Sequence, residues 1–509
     1  MLASREEMSL DAIDPNVELN VSFHPPLALQ RRGWVFDIMR RERVSEVLDI
    51  GCGEGELIAC LCNPPPWLRP PPASLLPPTS PLATLPTPHE VDCDGSPMNN
   101  NSDADDYLYI NKIYALDISS SDLEYAITET APRPEPEAGS WQRYTPRWGN
   151  LDIDLWEGSL DVFNPEFVGI ECVVSTEVIE HLPEDILDEF APVILGLYHP
   201  RLLLITTPSF TFNERFVAPN APPGTRRGYH DPTKRTDRIF RHHDHKFEWT
   251  IQEFTQWCRK VAQEWGYDVD IDGVGKALEP DPWGRDEELG FASQVAAFTR
   301  REGEEDAGIR EQRCKELGLL QRMRDRVQHK LCTQHRHLAH PTSKKPGTLI
   351  TIGDAVKAKI QYFQEARVVL RQFWFENDIS TLCGGWVELL VAAIQEHPDL
   401  RLEKSQSESR WFVELPGFVP GKQDVWEEVE RESSIPGSIP SESSQWNEEE
   451  SSWNDQVGNW DAEDKSFEEA EHGWDSAPQD LVKSQGGWGT PNEATPNHLS
   501  WGYHTDGWV

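Results

Sequence analysis

Glu177, Glu180 and His181 fall within five residues in the stretch STEVIEHL, directly after the apolar run ECVV. On a helix, the spacings i, i+3 and i, i+4 set all three side chains on one face. Two carboxylates held side by side repel each other unless a cation or a proton lies between them. A divalent metal is the natural occupant: oxygen ligands favour Mg²⁺ or Mn²⁺, and the imidazole shifts the preference toward Mn²⁺ or Co²⁺. The same acids would also suit the first turn of an ordinary surface helix, whose dipole welcomes negative charge. A second stretch, RHHDHKFEWT, supplies His242, His243, Asp244 and His245, and any one of these imidazoles would complete the cluster.

These residues need elements to hold them. Apolar runs at 44–51, 113–119, 169–176 and 201–208 predict buried strands, separated by helical patterns such as ALQRRGWVFDIMRRE and EDILDEFAPVILGLY. That alternation predicts an α/β fold, a parallel sheet with helices on both faces, and DVDIDGVG with ASQVAAFTR predict a closing antiparallel pair. Ligands of open α/β sheets bind at the carboxyl ends of the strands, which is where STEVIEHL begins. The first strand runs into VLDIGCGEGEL, in which Gly51, Gly53 and Gly55 follow Asp49. Glycines let a backbone turn sharply and approach a ligand closely, and the helix beyond offers unpaired N–H groups. A nucleotide-binding loop would look similar. The second strand ends on Asp117, where an acid accepts hydrogen bonds from ribose hydroxyls; a helix cap is the plainer reading of that residue.

The glycine loop and the acid ending the second strand together resemble the class I (Rossmann-like) S-adenosylmethionine-dependent methyltransferases. The order FHPPLALQRR, LDIGCGEG, EVIEHL, TTPSFTFN and HDHKFEWT is more specific. Across residues 20–305 it resembles the small-RNA 3′-terminal 2′-O-methyltransferase family, of the fungal type. The resemblance implies catalytic metal ligands at Glu177, Glu180, His181 and His245, the last chosen because it directly precedes KFEW, with His243 as second choice. It implies cofactor contacts at Asp49, Gly51, Gly53, Asp117 and Ser159. The implied reaction is methylation of the 2′-hydroxyl of a 3′-terminal nucleotide, with one divalent metal (Mg²⁺ or Mn²⁺) on the 2′ and 3′ hydroxyls. The sequence shows no duplex-binding module of the plant type, so the expected substrate is the 3′ end of a small single-stranded RNA.

The chain has 509 residues and a net charge of −40, which is wrong for a nucleic-acid coat protein. Its charge is unevenly placed. Residues 225–246 hold seven Lys or Arg against three acids, either a grip on RNA phosphates or a solvated loop. Residues 310–345 hold ten against three, read as a solvated helix face or an RNA contact. Eleven prolines in residues 63–88 predict that 63–106 is a disordered surface insertion, and residues 1–19 a flexible start. Helical patterns predict a mainly helical region over 306–420, and 421–509 an acidic disordered tail with 20 acids and eight tryptophans. Several of those tryptophans adjoin glycine and resemble the hooks that dock into Argonaute-type proteins. The nine cysteines lack disulfide spacing, no apolar run approaches the ~20 residues of a membrane span, and the N-terminus has no signal-like pattern. These features predict a monomeric cytoplasmic or nuclear protein. Two rivals remain at this level: a class I methyltransferase acting on a small molecule or protein, and a non-catalytic Argonaute-binding scaffold.

Overall fold

The computed structural model describes residues 17–77, 107–133, 145–222, 224–323, 326, 328–405 and 410–419. The strands in chain order are β1 (Glu46–Ile50), β2 (Lys112–Asp117), β3 (Leu151–Glu157), β4 (Cys172–Thr176), β5 (Leu202–Pro208), the short pair β6 (Tyr229–His230) and β7 (Ile239–Phe240), β8 (Tyr267–Val274), β9 (Ser293–Arg300), β10 (Lys330–His337), β11 (Arg367–Val369), β12 (Arg401–Ser405) and β13 (Arg410–Glu414). The main sheet has eight strands in the order β10-β3-β2-β1-β4-β5-β9-β8. β3, β2, β1, β4 and β5 run parallel, while β9, β8 and β10 are antiparallel to their neighbours. This is the expected α/β fold with a parallel core to its sheet, closed by the expected antiparallel pair.

Both faces of the sheet are covered, because alternate residues of a strand point to opposite sides. On β4 and β5, Val173, Leu203 and Ile205 join one core with Phe190, Phe254 and Trp265. Cys172, Val174, Leu202 and Leu204 join the other, with Val35, Ile58 and Leu123. Strands buried on both faces read as continuous apolar runs, which is why these were legible. The helix Ile251–Trp265 starts on a capping box, Thr250 with Glu253, and stops at Gly266 in the left-handed conformation.

Three expectations need correction. Residues 330–337, expected to be helical, form β10, and its basic side chains match the acidic edge of β3: Lys330 pairs with Glu157 at 2.9 Å and Arg336 with Asp152 at 2.9 Å. Part of the most basic span is thus engaged in ion pairs within the chain, including Arg322 with Glu189 and Arg326 with Asp161. Second, the region after the sheet is mixed rather than mainly helical. Its helices Leu349–Phe363, Leu370–Trp374, Asn377–Leu382 and Val387–Glu396 pack with the three-stranded sheet β11-β13-β12 around a core of Ile352, Phe373, Leu390 and Val413.

Third, the proline-rich segment is structured as far as residue 77. Leu68 is buried in that second core, its N–H donates to the Gly385 carbonyl at 2.8 Å, and the Pro66 carbonyl accepts from the indoles of Trp148 and Trp374, each at 3.0 Å. Prolines bar helix and strand but leave carbonyl acceptors and apolar rings able to pack. The expected boundary at 305/306 is therefore crossed in both directions. The rest of the insertion and the tail lie outside the described residues. The eight described cysteines are free thiols, and among the described residues no helix is long and apolar enough to cross a membrane.

Candidate active site

The acid–imidazole cluster forms where β4 and β5 end. Glu177 follows β4 directly with φ +54°, and its N–H donates to the Thr206 carbonyl of β5 at 2.9 Å. Only then does the chain make a 3₁₀ turn, Ile179–His181. The expected single helical face is thus corrected: Glu177 is still tied to the sheet, while Glu180 and His181 sit in a tighter turn. A non-glycine residue in the left-handed region costs ~1–3 kcal/mol and persists where its surroundings over-determine it. Here, besides the backbone bond, the Glu177 carboxylate pairs with Arg31 at 2.7 Å and accepts from the Thr206 hydroxyl at 2.7 Å.

Glu180 is fully buried. One carboxylate oxygen accepts from the Thr207 hydroxyl at 2.9 Å, and the other is buried with no hydrogen-bond partner. Burial first, and Glu177 beside it second, push its pKa well up. An orphaned carboxylate oxygen in such a place is costly in the ionised state unless a cation meets it.

The second stretch arrives from the other side. The Lys246 N–H donates to the Glu180 carbonyl at 2.7 Å, and the Phe210 N–H to the Trp249 carbonyl at 2.9 Å, which docks residues 242–249 over the ends of β4 and β5. The side-chain nitrogens of His181, His242 and His245 then lie within 4.8 Å of one another. Glu177 and Glu180 are not in that tight group.

The hydrogen bonds distinguish the three rings. His181 Nδ1 bonds Asp244 at 3.1 Å and His245 Nδ1 bonds Glu248 at 2.7 Å. A carboxylate partner fixes the proton on Nδ1, so Nε2 is the coordinating nitrogen in each. His242 is reversed: its Nδ1 accepts from the Asp244 N–H at 3.2 Å, which leaves the proton of the neutral ring on Nε2. Burial holds His181 below the usual histidine range, and burial with the neighbouring rings holds His242 down to about 4, so both are neutral near pH 7. Burial opposes ionisation of Asp244, but hydrogen bonds from His181 and Lys246 outweigh it and keep the acid well below the carboxylate range. The residues fit a divalent cation by their donor set: two Nε2 nitrogens, a buried unpartnered carboxylate oxygen, and a second carboxylate close by. His243, the second choice from sequence, is outside the group, and His242 takes the place beside His245.

The glycine loop behaves as expected. Gly51, Gly53 and Gly55 have φ of 70°, 52° and 87°. The Gly53 and Ser119 N–H groups both donate to Asp117 at 2.8 Å, and the Gly51 N–H to the Leu116 carbonyl at 2.8 Å. A Cβ on Gly51 would meet Val178 at 2.6 Å, so this glycine is also needed for the close approach of the β4 turn. Burial, with Asp117 next, raises Asp49 to about 8. Burial raises Asp117 to about 6 against the pull of its N–H donors. A cavity of about 270 Å³ is lined by Arg31, Asp49, Gly51, Gly53 and Glu177, and a smaller cleft of about 20 Å³ by Asp117, Gly158 and Ser159, with Gly51 shared by both. The loop and the acid cluster therefore open onto one space.

Sequence reading missed Arg31, Thr206, Thr207 and Glu248 as site residues. All four lie in the quoted motifs LALQRR, TTPSF and KFEW, but nothing in their types alone marks them as supports.

No family model matches the chain. A "Small RNA 2′-O-methyltransferase" from Arabidopsis thaliana is 29% identical over 278 residues, 55% of this chain and 23% of that protein. One from Xenopus tropicalis is 35% identical over 173 residues, 34% of this chain and 41% of that protein. One from Schizosaccharomyces pombe is 26% identical over 287 residues, 54% and 61%. The chain thus matches less than two thirds of the length of each. A crystal structure of a small RNA methyltransferase aligns at a TM-score of 0.38 with 25% identity, covering 63% of this chain and 28% of that one. In sequence, this chain is a relative of the small RNA 2′-O-methyltransferases.

Proposed function

We propose that this protein methylates the 2′-hydroxyl of the 3′-terminal nucleotide of small RNAs, with S-adenosylmethionine as donor. The observation that carries the reading is the shared cavity: Glu177 of the acid–imidazole cluster lines the same space as Asp49, Gly51 and Gly53 of the glycine loop. A methyl donor on that loop would lie beside whatever the cluster binds. The names of the relatives supply the substrate class.

Glu177, Glu180, His181 and His245 would hold a divalent cation, Mg²⁺ or Mn²⁺, whose charge would make the 2′-hydroxyl of a terminal ribose with free 2′ and 3′ hydroxyls more acidic. The remaining chemistry belongs to the chain. Asp244 and Glu248 orient the two coordinating rings, Thr206 and Thr207 fix the two carboxylates, and Arg31 offsets the Glu177 charge. His242 presents an Nε2–H that would donate to a ribose or phosphate oxygen. Asp117 and Ser159 would receive the adenosyl end. An internal nucleotide lacks the free 3′-hydroxyl, so the chemistry itself selects the end. The Gly-Trp tail would bring the enzyme to an Argonaute-type protein holding the small RNA, and the modified end would be protected in RNA silencing.

The test uses the full chain, labelled S-adenosylmethionine, Mn²⁺ and short RNAs ending in a ribose, a 2′-deoxyribose or a 3′-deoxyribose. Transfer is expected only to the first, and it should be lost with EDTA and fall by at least ~10²-fold in Glu177→Ala. Full methylation of the 3′-deoxy RNA, or an unchanged rate in Glu177→Ala, would refute the proposed site.

A further inference from the structure

Arg326 and His329, which lie between the helix Leu319–Met323 and β10, contact the loop that follows β3. Gly158, Ser159 and Leu160 of that loop line the smaller cleft with Asp117. On the cleft side, the Gly158 N–H donates to the Asp117 carbonyl at 2.9 Å. On the outer side, the Ser159 carbonyl accepts from His329 Nε2 at 2.9 Å. Arg326 donates to the Asp161 carbonyl at 2.9 Å and also pairs with the Asp161 carboxylate. The imidazole lies so close to the loop that a Cβ on Gly158 would meet its Cδ2 at 2.2 Å. Behind the ring stands fully buried Phe167, with centroids 5.8 Å apart.

This arrangement is particular about the ring. A carbonyl can only accept, so Nε2 carries the proton, and Nδ1 is buried without a partner. The ring is therefore held in place by one hydrogen bond, by Phe167 and by the absence of a side chain at Gly158. A glycine-containing loop left to itself would sample many conformations, and ordering it would weaken any ligand that depends on it.

We propose that His329 and Arg326 are positioning residues of the cofactor site, through which the segment leading into β10 preorganises the 158–161 loop for the adenosyl end of S-adenosylmethionine. The inference rests on the proposal that Asp117 and Ser159 receive the cofactor. It gives residues after 305 a part in cofactor binding that neither the motifs nor the relatives assign to them.

The test is calorimetric binding of S-adenosylhomocysteine to the full chain, with melting temperature recorded for each variant. His329→Phe keeps an aromatic ring but loses the donor, and should weaken binding about tenfold. His329→Gln retains an N–H donor at similar reach and should stay within about twofold of the parent protein. Arg326→Ala should also weaken binding severalfold without lowering the melting temperature in proportion. Asp117→Ala should abolish binding. Parent-like affinity in His329→Phe beside a dead Asp117→Ala would overturn the proposal, as would a His329→Gln as weak as His329→Phe. Unchanged affinity in Asp117→Ala would instead overturn the assignment of the cofactor site itself.

Discussion

His242 and His245 stand three residues apart with opposite tautomers, and the difference comes from what bonds each Nδ1. Glu248 accepts a hydrogen bond from His245 Nδ1–H, whereas the Asp244 N–H occupies the Nδ1 lone pair of His242. The motif showed that imidazoles were available, but tautomers are set by partners that only folding brings together. The same holds for Glu177: its identity was legible, but its left-handed backbone was not, because the Thr206 carbonyl that holds it belongs to another strand. Asp49 offers a measurable consequence. Folding raises its pKa from 3.8 to about 8, mainly by burial, so the folded chain holds this proton more tightly than the unfolded one. The stability this contributes is complete below about pH 4 and is lost as pH rises through about 8. Asp49→Asn removes that titration while keeping the side chain's shape. In calorimetry without cofactor, its melting temperature should fall less than the parent's between about pH 5.5 and about pH 8.5. Parallel declines would show that Asp49 is already ionised in the folded protein.

At the level of elements, the strands buried on both faces and the closing pair β8–β9 were legible, whereas β3 and β10 were not. β3 alternates Leu151, Ile153 and Leu155 with Asp152 and Asp154, a period-2 pattern whose acids break up the apolar run. β10 is basic and histidine-rich, and it is a strand because β3 offers it carboxylates and backbone partners. Local composition held neither half of that match. The segment around Leu68 is the same case, with prolines masking a contribution to a core 280 residues later in the chain. Leu68→Ala should lower unfolding free energy by about 2–3 kcal/mol in denaturant titrations, the usual loss for a buried leucine. A change under about 0.5 kcal/mol would mean that the segment only rests on the surface.

Among the described residues, a sheet with a core on each face is joined to a third core built from residues within and after its span of the sequence. Fold class was legible because it follows from the alternation of apolar runs with helical patterns, whereas the order of strands in the sheet was not. The interlocking was not, because it depends on long-range pairs such as Pro66 with Trp374. At this scale the tail makes its own prediction. If its Gly-Trp sites engage an Argonaute-type protein, several weak anchors on one tether act together. A chain cut after residue 420 should then recover at least ~10-fold less of that protein than the full chain in a pull-down, while methylating free RNA at the same rate. Equal recovery would remove the tail from recruitment.

β10 also bears on solubility. Without it, β3 would present a row of unpaired N–H and carbonyl groups, the kind of open border along which sheets of separate molecules join. A fragment ending at residue 305, where the methyltransferase-like pattern stops, would have such a border. A fragment extended to His337 keeps that border paired, and it should run as a smaller particle in size-exclusion chromatography than one ending at residue 305.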